Sequence, residues 1–206
     1  GSAAGSVDLF IYNNQNNLTM NSMIVDNGSV PLRLVVGSIG GANTILAGSN
    51  TFSGGLVVNQ GTVQLNVSGA DGASTVAVPL AASGANKTLV VNGGTVQWLA
   101  SNQVAFGAVP VVNSGGGLSM INLNQTFAGL EINANGGTPP LIQTGTGTLT
   151  LNGNVVVTNT GVSNTAPSLT GNVNLGGATR TFDVGGVMVG GSSDLSLSLV
   201  HISEPT

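Results

Sequence analysis

Short stretches in which apolar and polar residues alternate recur along this chain. Residues 62–66 read TVQLN, which places Val63 and Leu65 on one face of a strand and the polar residues on the other. GTLTLNG from Gly147 and NVNL from Asn172 follow the same period of two. Helical periodicity is not convincing anywhere, and each glycine disfavours helix by about 1 kcal/mol relative to alanine. The pattern predicts an all-β protein of short strands with one buried and one solvated face.

Asparagine recurs where these strands end, with glycine close behind it. The sites read VVNQG, VVNGG, VVNSG and INANG, and their asparagines are Asn59, Asn92, Asn113 and Asn133. The last two intervals between these sites are each roughly 20 residues long, and the first is markedly longer. A strand-and-corner unit of this size buries its apolar face by stacking on its neighbours. We therefore predict a parallel β-solenoid with about 20 residues per coil and an insertion around residues 68–86 in the longest interval.

A β-sandwich would also give short strands separated by turns. Sandwich cores usually contain several aromatic side chains, whereas this chain has five Phe, one Trp and one Tyr in 206 residues. Small aliphatic side chains stacked coil on coil fill a narrow solenoid better, so we favour the solenoid. Residues 1–198 are interpreted as a single segment of this kind.

Charged residues make up only 5% of the chain, compared with about 25% in an average protein. The formal net charge is −4, with only three Lys and Arg residues to neutralise phosphates, so we expect no nucleic-acid partner. No apolar run reaches the roughly 18 residues that a membrane-spanning helix requires. Cysteine is absent, which excludes disulfides and thiolate metal ligands.

A specific motif lies between Ile45 and Asn66, which read ILAGSNTFSGGLVVNQGTVQLN. This stretch resembles the autotransporter-associated β-strand repeat of bacterial surface proteins. Residues 169–184, LTGNVNLGGATRTFDV, are similar to a segment that accompanies such repeats. The motif residues, to which we assign structural roles, are Asn50, Thr51, Phe52, Gly54, Gly55, Asn59, Gly61 and Thr62.

The resemblance implies a right-handed parallel β-helix of a passenger region, carried to the bacterial cell surface through an outer-membrane β-barrel translocator. The expected role is a non-catalytic, secreted or surface-bound stalk or adhesin-like scaffold. Its expected partners are glycans or other surface proteins, and no cofactor is expected. Strand edges exposed at the ends of a solenoid also favour end-to-end self-association.

The last residues, 199–206, read LVHISEPT and contain the only histidine, His201. This tail resembles translated sequencing-adapter read-through and is interpreted as non-native, so His201 is assigned no role. Without the tail the chain has neither histidine nor cysteine. The chain then lacks the residues that Ser-His-Asp catalysis, Cys-His catalysis and ordinary zinc sites require. We therefore expect that the protein is not an enzyme.

Two alternatives depend on a few side chains. A glycan-binding adhesin would present a flat ring, for which Trp98, the sole Trp, is the candidate, although a core position is favoured. Arg180 and Asp183 could meet at a coil corner, although a solvated surface pair is the favoured interpretation. A carbohydrate-active β-helix enzyme, of the polysaccharide lyase or glycosidase type, would gather carboxylates on one groove. The candidate carboxylates are Asp8, Asp26, Asp183 and Asp194.

Overall fold

The computed structural model describes residues 5–82, 87–160, 165–186 and 194–203, and the regular structure in these ranges is entirely β-strand. These ranges contain no helix that is long and apolar enough to cross a membrane. In chain order the strands are β1 (Val7–Asn13), β2 (Leu18–Met20), β3 (Leu32–Ser38), β4 (Asn43–Leu46), β5 (Leu56–Gln60), β6 (Thr62–Leu65), β7 (Leu89–Val91), β8 (Gly94–Trp98), β9 (Val111–Asn113), β10 (Gly116–Ser119), β11 (Gln125–Phe127), β12 (Leu130–Ala134), β13 (Leu141–Leu151), β14 (Val155–Asn159), β15 (Ser168–Asn174), β16 (Phe182–Gly186) and β17 (Ser196–Ser203).

Successive strands of the chain alternate between two sheets. Sheet A contains, in spatial order, β1, β3, β5, β7, β9, β12, β14 and β16. Sheet B contains β2, β4, β6, β8, β10, β13, β15 and β17, and β11 also pairs with β13. The strand pairs of both sheets are parallel. The molecule is a β-solenoid of about seven turns, which confirms the predicted fold class.

Coil length varies more than the sequence pattern predicts. The predicted value of about 20 residues describes the coil between Asn113 and Asn133. The average is larger, at roughly 25 residues. In the longest coil of the described part, Asn92 follows its neighbour Asn59 after 33 residues. The predicted coil length was too short, because strand register fixes only the paired segments. The connections between them are free to differ in length.

The segment between β6 and β7, which includes the predicted insertion, packs against the solenoid. Val76, Ala77 and Val78 are at most 1% exposed. Val78 forms a bridge with Val104 on the next coil. The N–H groups of Ala77 and Val78 both donate to the carbonyl of Gln103, at 2.9 and 3.1 Å. The described part of this segment is therefore a packed part of the stack.

The core lies between the sheets, and most of it consists of aliphatic columns with one side chain per coil. Complete burial of such a side chain contributes about 1.5–3 kcal/mol relative to exposure, so each added coil extends the apolar contact. The members of one column on each sheet are at most 1% exposed. On sheet A they are Val36, Val58, Val91, Val112, Ile132 and Val157, and on sheet B they are Val63, Val96, Leu118, Ile142 and Leu169.

The side of the solenoid that leads from sheet B back to sheet A has no continuous sheet in the part of the chain that the structure describes. Buried amides satisfy its backbone instead. Asn50 Oδ1 accepts the N–H of Ile24, and Asn50 Nδ2 donates to the carbonyl of Ala77, both at 2.8 Å. These residues belong to three successive coils. Gln125 acts similarly, because its amide accepts the N–H of Val104 at 3.1 Å and donates to the carbonyl of Val104 at 2.8 Å.

Strand β17 includes the first residues of the segment interpreted as a non-native tail. Its backbone pairs with β15 from Ser196 to Ser203, with a register shift after Gly171. The origin of this segment stays a prediction from the sequence, as does the absence of a role for His201.

Gly54 lies where the chain approaches β3 closely. A Cβ at Gly54 would be 2.5 Å from the backbone nitrogen of Arg33 and from the carbonyl of Leu32. Backbone cannot give way as a flexible side chain can. We therefore expect Gly54→Ala to lower the free energy of unfolding by about 3 kcal/mol, the upper end for overpacking, as measured by urea denaturation.

The matched control for this substitution is Gly185→Ala on β16. A Cβ there would meet only the carbonyl oxygen of Val157, at 3.9 Å. Its expected change is below about 1 kcal/mol. Similar losses in the two variants would contradict the close approach at Gly54.

Candidate functional site

The motif residues occupy structural positions before, within and directly after β5. Phe52 is fully buried in the core. Gly55 and Gly61 have φ values of 83° and 82°, in the left-handed region that favours glycine. The other members bond to neighbouring coils, allow a close backbone approach or point outward, and they are Asn50, Thr51, Gly54, Asn59 and Thr62. In this structure the motif shapes the turns on both sides of β5 and contributes one side chain, Asn59, to the groove described below.

Trp98 lies in the core, with 2% of its surface exposed. Its indole N–H donates to Oε1 of Gln125 at 2.9 Å. Its ring meets Phe127 edge-on, with ring centroids 6.3 Å apart. This burial agrees with the favoured core position and contradicts the alternative in which Trp98 contacts a glycan, because alternation along β8 points the ring inward with Val96.

The candidate carboxylates do not gather on one groove. Asp8 lies on β1 and Asp183 on β16, the first and last strands of sheet A. Seven inter-strand steps place them roughly 34 Å apart. Asp26 precedes β3, whereas Asp194 precedes β17 at the other end of the solenoid. Among the described residues, this arrangement lacks the facing carboxylates that the lyase or glycosidase alternative requires, and no three His, Cys, Asp or Glu residues are placed to hold a metal ion.

Arg180 braces a corner near the last strands. Its Nε donates to the carbonyls of Leu151 and Leu175, both at 3.0 Å. Asp183 is exposed on β16. Within the ranges that the structure describes, Arg180 and Asp183 form no ion pair with each other.

Asp26 joins three segments at the corner before β3. Its Oδ1 accepts the N–H groups of Leu32 and Ser53 at 2.8 and 2.7 Å, and its Oδ2 accepts the Ser53 hydroxyl at 2.6 Å. Burial raises the pKa of this carboxyl, but the bonds from the Ser53 hydroxyl and the two backbone N–H groups outweigh it and lower the pKa below its usual value. Asp26 is therefore a brace between coils as well as a turn residue.

The lowered pKa makes Asp26 a source of pH-dependent stability. Because the folded pKa lies below the unfolded value of about 3.9, the contribution is complete above that value and is lost as the pH falls through the folded pKa. We expect Asp26→Asn to lower the urea midpoint at neutral pH and to flatten its decline between roughly pH 5 and pH 2. Asp183→Asn, an exposed carboxylate, is the control and should change the neutral midpoint much less. Identical pH profiles for wild type and Asp26→Asn would rule out this role.

The outer face of sheet A carries an apolar column that crosses the strands. The residues paired in register along it are Phe10, Val35, Val57, Val90 and Val111, followed by Glu131. Val35 and Val111 are only 7% and 6% exposed although they point away from the core, whereas Phe10 is 70% exposed. The column is thus a flat apolar strip that ends at a projecting aromatic ring.

Beside this column runs an asparagine ladder, formed by Asn59, Asn92, Asn113 and Asn133. The Nδ2 of Asn92 donates to Oδ1 of Asn59 at 2.9 Å, that of Asn113 to Asn92 at 2.7 Å, and that of Asn133 to Asn113 at 2.9 Å. These are the four asparagines whose spacing suggested the repeat. The intervals between them match the coil register at each step.

The column and the ladder form the floor and one rim of a groove of about 410 Å³, here called the sheet-A groove. Its other rim is an ion pair in which Arg33 Nε and Nη2 donate to Asp8 Oδ1 and Oδ2 at 2.9 and 2.8 Å. A smaller groove of about 170 Å³ adjoins it and includes Lys87, whose ammonium lies 2.8 Å from the carboxylate of Glu131. The residues that line the sheet-A groove are Asp8, Phe10, Arg33, Val35, Val57, Asn59, Val90 and Asn92.

Sheet B carries a separate, smaller groove. A groove of about 300 Å³ lies over Gly116 and Gly117, between Thr95 on one side and Gln143 on the other. The two glycines have no side chains, and the residues that line the groove include neither a charged nor an aromatic side chain. The sheet-A groove is therefore the more distinctive of the two.

Sequence reasoning missed Phe10 and the Asp8–Arg33 pair as site residues. In VDLFIYN, alternation puts Asp8, Phe10 and Tyr12 on one face, which was a usable signal. The pairing of Asp8 with Arg33 depends on an offset of 25 residues between β1 and β3, which no motif marks.

Comparison of the chain with protein-family profiles, with curated proteins and with solved structures gave no match.

Proposed function

We propose that this chain is a non-catalytic structural solenoid that serves as a stiff stalk or scaffold outside the cell. The observation that carries this proposal is the uninterrupted series of parallel strands from β1 to β16 in sheet A. In such a stack each coil contacts its neighbours, and length grows with the number of coils. At about 4.8 Å per step, the described strands of sheet A span roughly 34 Å.

The bacterial surface location rests on the resemblance of residues 45–66 to the autotransporter-associated repeat. That resemblance supports a passenger region whose translocator is an outer-membrane β-barrel. The composition agrees with a scaffold, because Asn, Thr, Ser and Gln supply most of the polar side chains and the chain carries few charges. Glycans and other surface proteins are the partners that such a location supplies.

Surface display is tested on intact cells of the organism that encodes the chain. Antibodies raised against the folded protein should label unbroken cells, and brief protease treatment of those cells should remove the label. An abundant cytoplasmic protein serves as the control and should stay protected. Labelling that appears only after lysis would refute the proposed location.

We further propose end-to-end self-association through the first coil of the described part. Met23 and Val25 in that coil are 58% and 50% exposed, and β1 pairs with a single strand, β3, among the described strands. Unpaired strand groups beside apolar side chains favour contact with another chain.

Sedimentation velocity tests this contact. The weight-average mass of the wild type should rise with concentration, and Met23→Glu should weaken that rise because it places a charge in the contact. Ile121→Glu is the matched control, since Ile121 is 49% exposed but lies midway along the solenoid. A wild type that stays monomeric, or equal effects of the two variants, would contradict the proposal.

A further inference from the structure

We propose that the sheet-A groove binds an extended, uncharged polysaccharide chain that lies along the solenoid axis. The proposed function names glycans only as a general class of partner. This inference deepens that part of the proposed function, on which it rests, by naming a site and a chemical class of glycan, and binding to the purified protein tests it independently of where the protein is located. It rests on the shape of the groove, the hydrogen-bonding capacity of its rim, its spacing and its charge.

The floor and end wall of the groove suit the apolar faces of sugar rings. Val35, Val57 and Val90 lie in register on β3, β5 and β7, so the floor runs across the strands and along the axis. Phe10 stands at one end with most of its ring in solvent. A flat aromatic ring is a large apolar surface, and the C–H face of a pyranose packs against such a ring.

The rim supplies the polar half of the recognition. Each asparagine amide has two N–H donors and an oxygen with two lone pairs. In the ladder, Asn92 uses one donor toward Asn59 and one lone pair toward Asn113. One donor and one acceptor of Asn92 therefore remain for a ligand. Hydroxyl groups both donate and accept, so they match this pair of groups.

The spacing of the rim matches a polymer rather than a single sugar. Strand neighbours in a sheet are about 4.8 Å apart, and the ladder repeats at that step wherever it crosses a strand. A pyranose unit in an extended polysaccharide advances by a similar length. Consecutive rings can therefore meet equivalent amides on β5 and at the end of β7, where Asn59 and Asn92 lie.

The charges of the groove point to an uncharged ligand. Asp8 and Arg33 form a bidentate pair, so their charges cancel, and the remaining lining residues are neutral. A polyanion would find no unpaired cation to bind. An extended peptide usually adds to the edge of a sheet, whereas this groove lies on a sheet face.

Affinity electrophoresis in native gels tests the proposal. The protein is run through gels that contain a soluble neutral polysaccharide, with glucomannan, xyloglucan, mixed-linkage glucan and arabinoxylan tried in turn, and through gels with alginate or polygalacturonate. At least one neutral polymer should retard the wild type. Phe10→Ala and Asn59→Ala should each weaken that retardation by about tenfold in affinity, the loss expected for one good contact.

The ladder provides a matched control. Asn59 and Asn133 are its two ends, and each has one ladder hydrogen bond, but only Asn59 lines the groove. Asn133→Ala should therefore bind as the wild type does. Val156→Ala should also bind normally, because Val156 follows Glu131 in the same column but lies outside the groove. Thermal unfolding verifies that each variant is folded.

Three outcomes would overturn the proposal. The first is that no neutral polymer retards the wild type. The second is that Asn59→Ala and Asn133→Ala weaken binding equally. The third is that only the anionic polymers bind. If no polymer binds and Phe10→Ala weakens self-association of the chain, the groove is assigned to a second copy of the chain instead.

Discussion

The stack of coils depends on satisfying the backbone where the chain leaves one sheet and enters the other. Strands solve this problem by pairing with the next coil, but the side from sheet B back to sheet A is largely irregular, and its polar groups are buried all the same. An unpaired buried amide costs about 1–3 kcal/mol. Asn50, Gln103 and Gln125 meet this demand, because each is at most 2% exposed and bonds to the main chain of another coil.

These amides also explain why coils of unequal length stack in one solenoid. Gln103 accepts the N–H of Val67 at 2.6 Å and donates to its carbonyl at 3.0 Å, across 36 residues of chain. A side-chain amide imitates one peptide unit of a neighbouring strand, so a coil with a long connection gains the pairing that its missing strand would have provided. The paired segments then keep their register while the connections differ in length.

The sequence was sufficient to predict the fold but not the groove. The reason is that the fold follows from local patterns, whereas the groove depends on contacts between residues far apart in the chain. Alternation and the Asn-Gly corners are local, and they correctly predicted parallel coils and the stacking positions of Asn59, Asn92, Asn113 and Asn133. The ion pair of Asp8 with Arg33 joins different strands, so it depends on coil length, the quantity that local patterns predicted least well. The prediction for Trp98 depends only on the alternation of inward and outward side chains along one strand. This is a local pattern, so the sequence could favour a core position.

The register of β3 against β5 decides where the ladder begins. Val36 pairs with Val58, but Gly37 pairs with Gln60, so Asn59 falls at a register shift with no side chain beside it on β3. Tyr12 fills part of this place, since its ring would lie 3.8 Å from a Cβ on Gly37. Glycine at residue 37 supplies no side-chain amide, and the ladder ends at Asn59. The valine column beside it continues to β1, where Val35 pairs with Phe10. At this end of sheet A the polar rim is therefore replaced by the aromatic side chain of Tyr12, while the apolar floor persists.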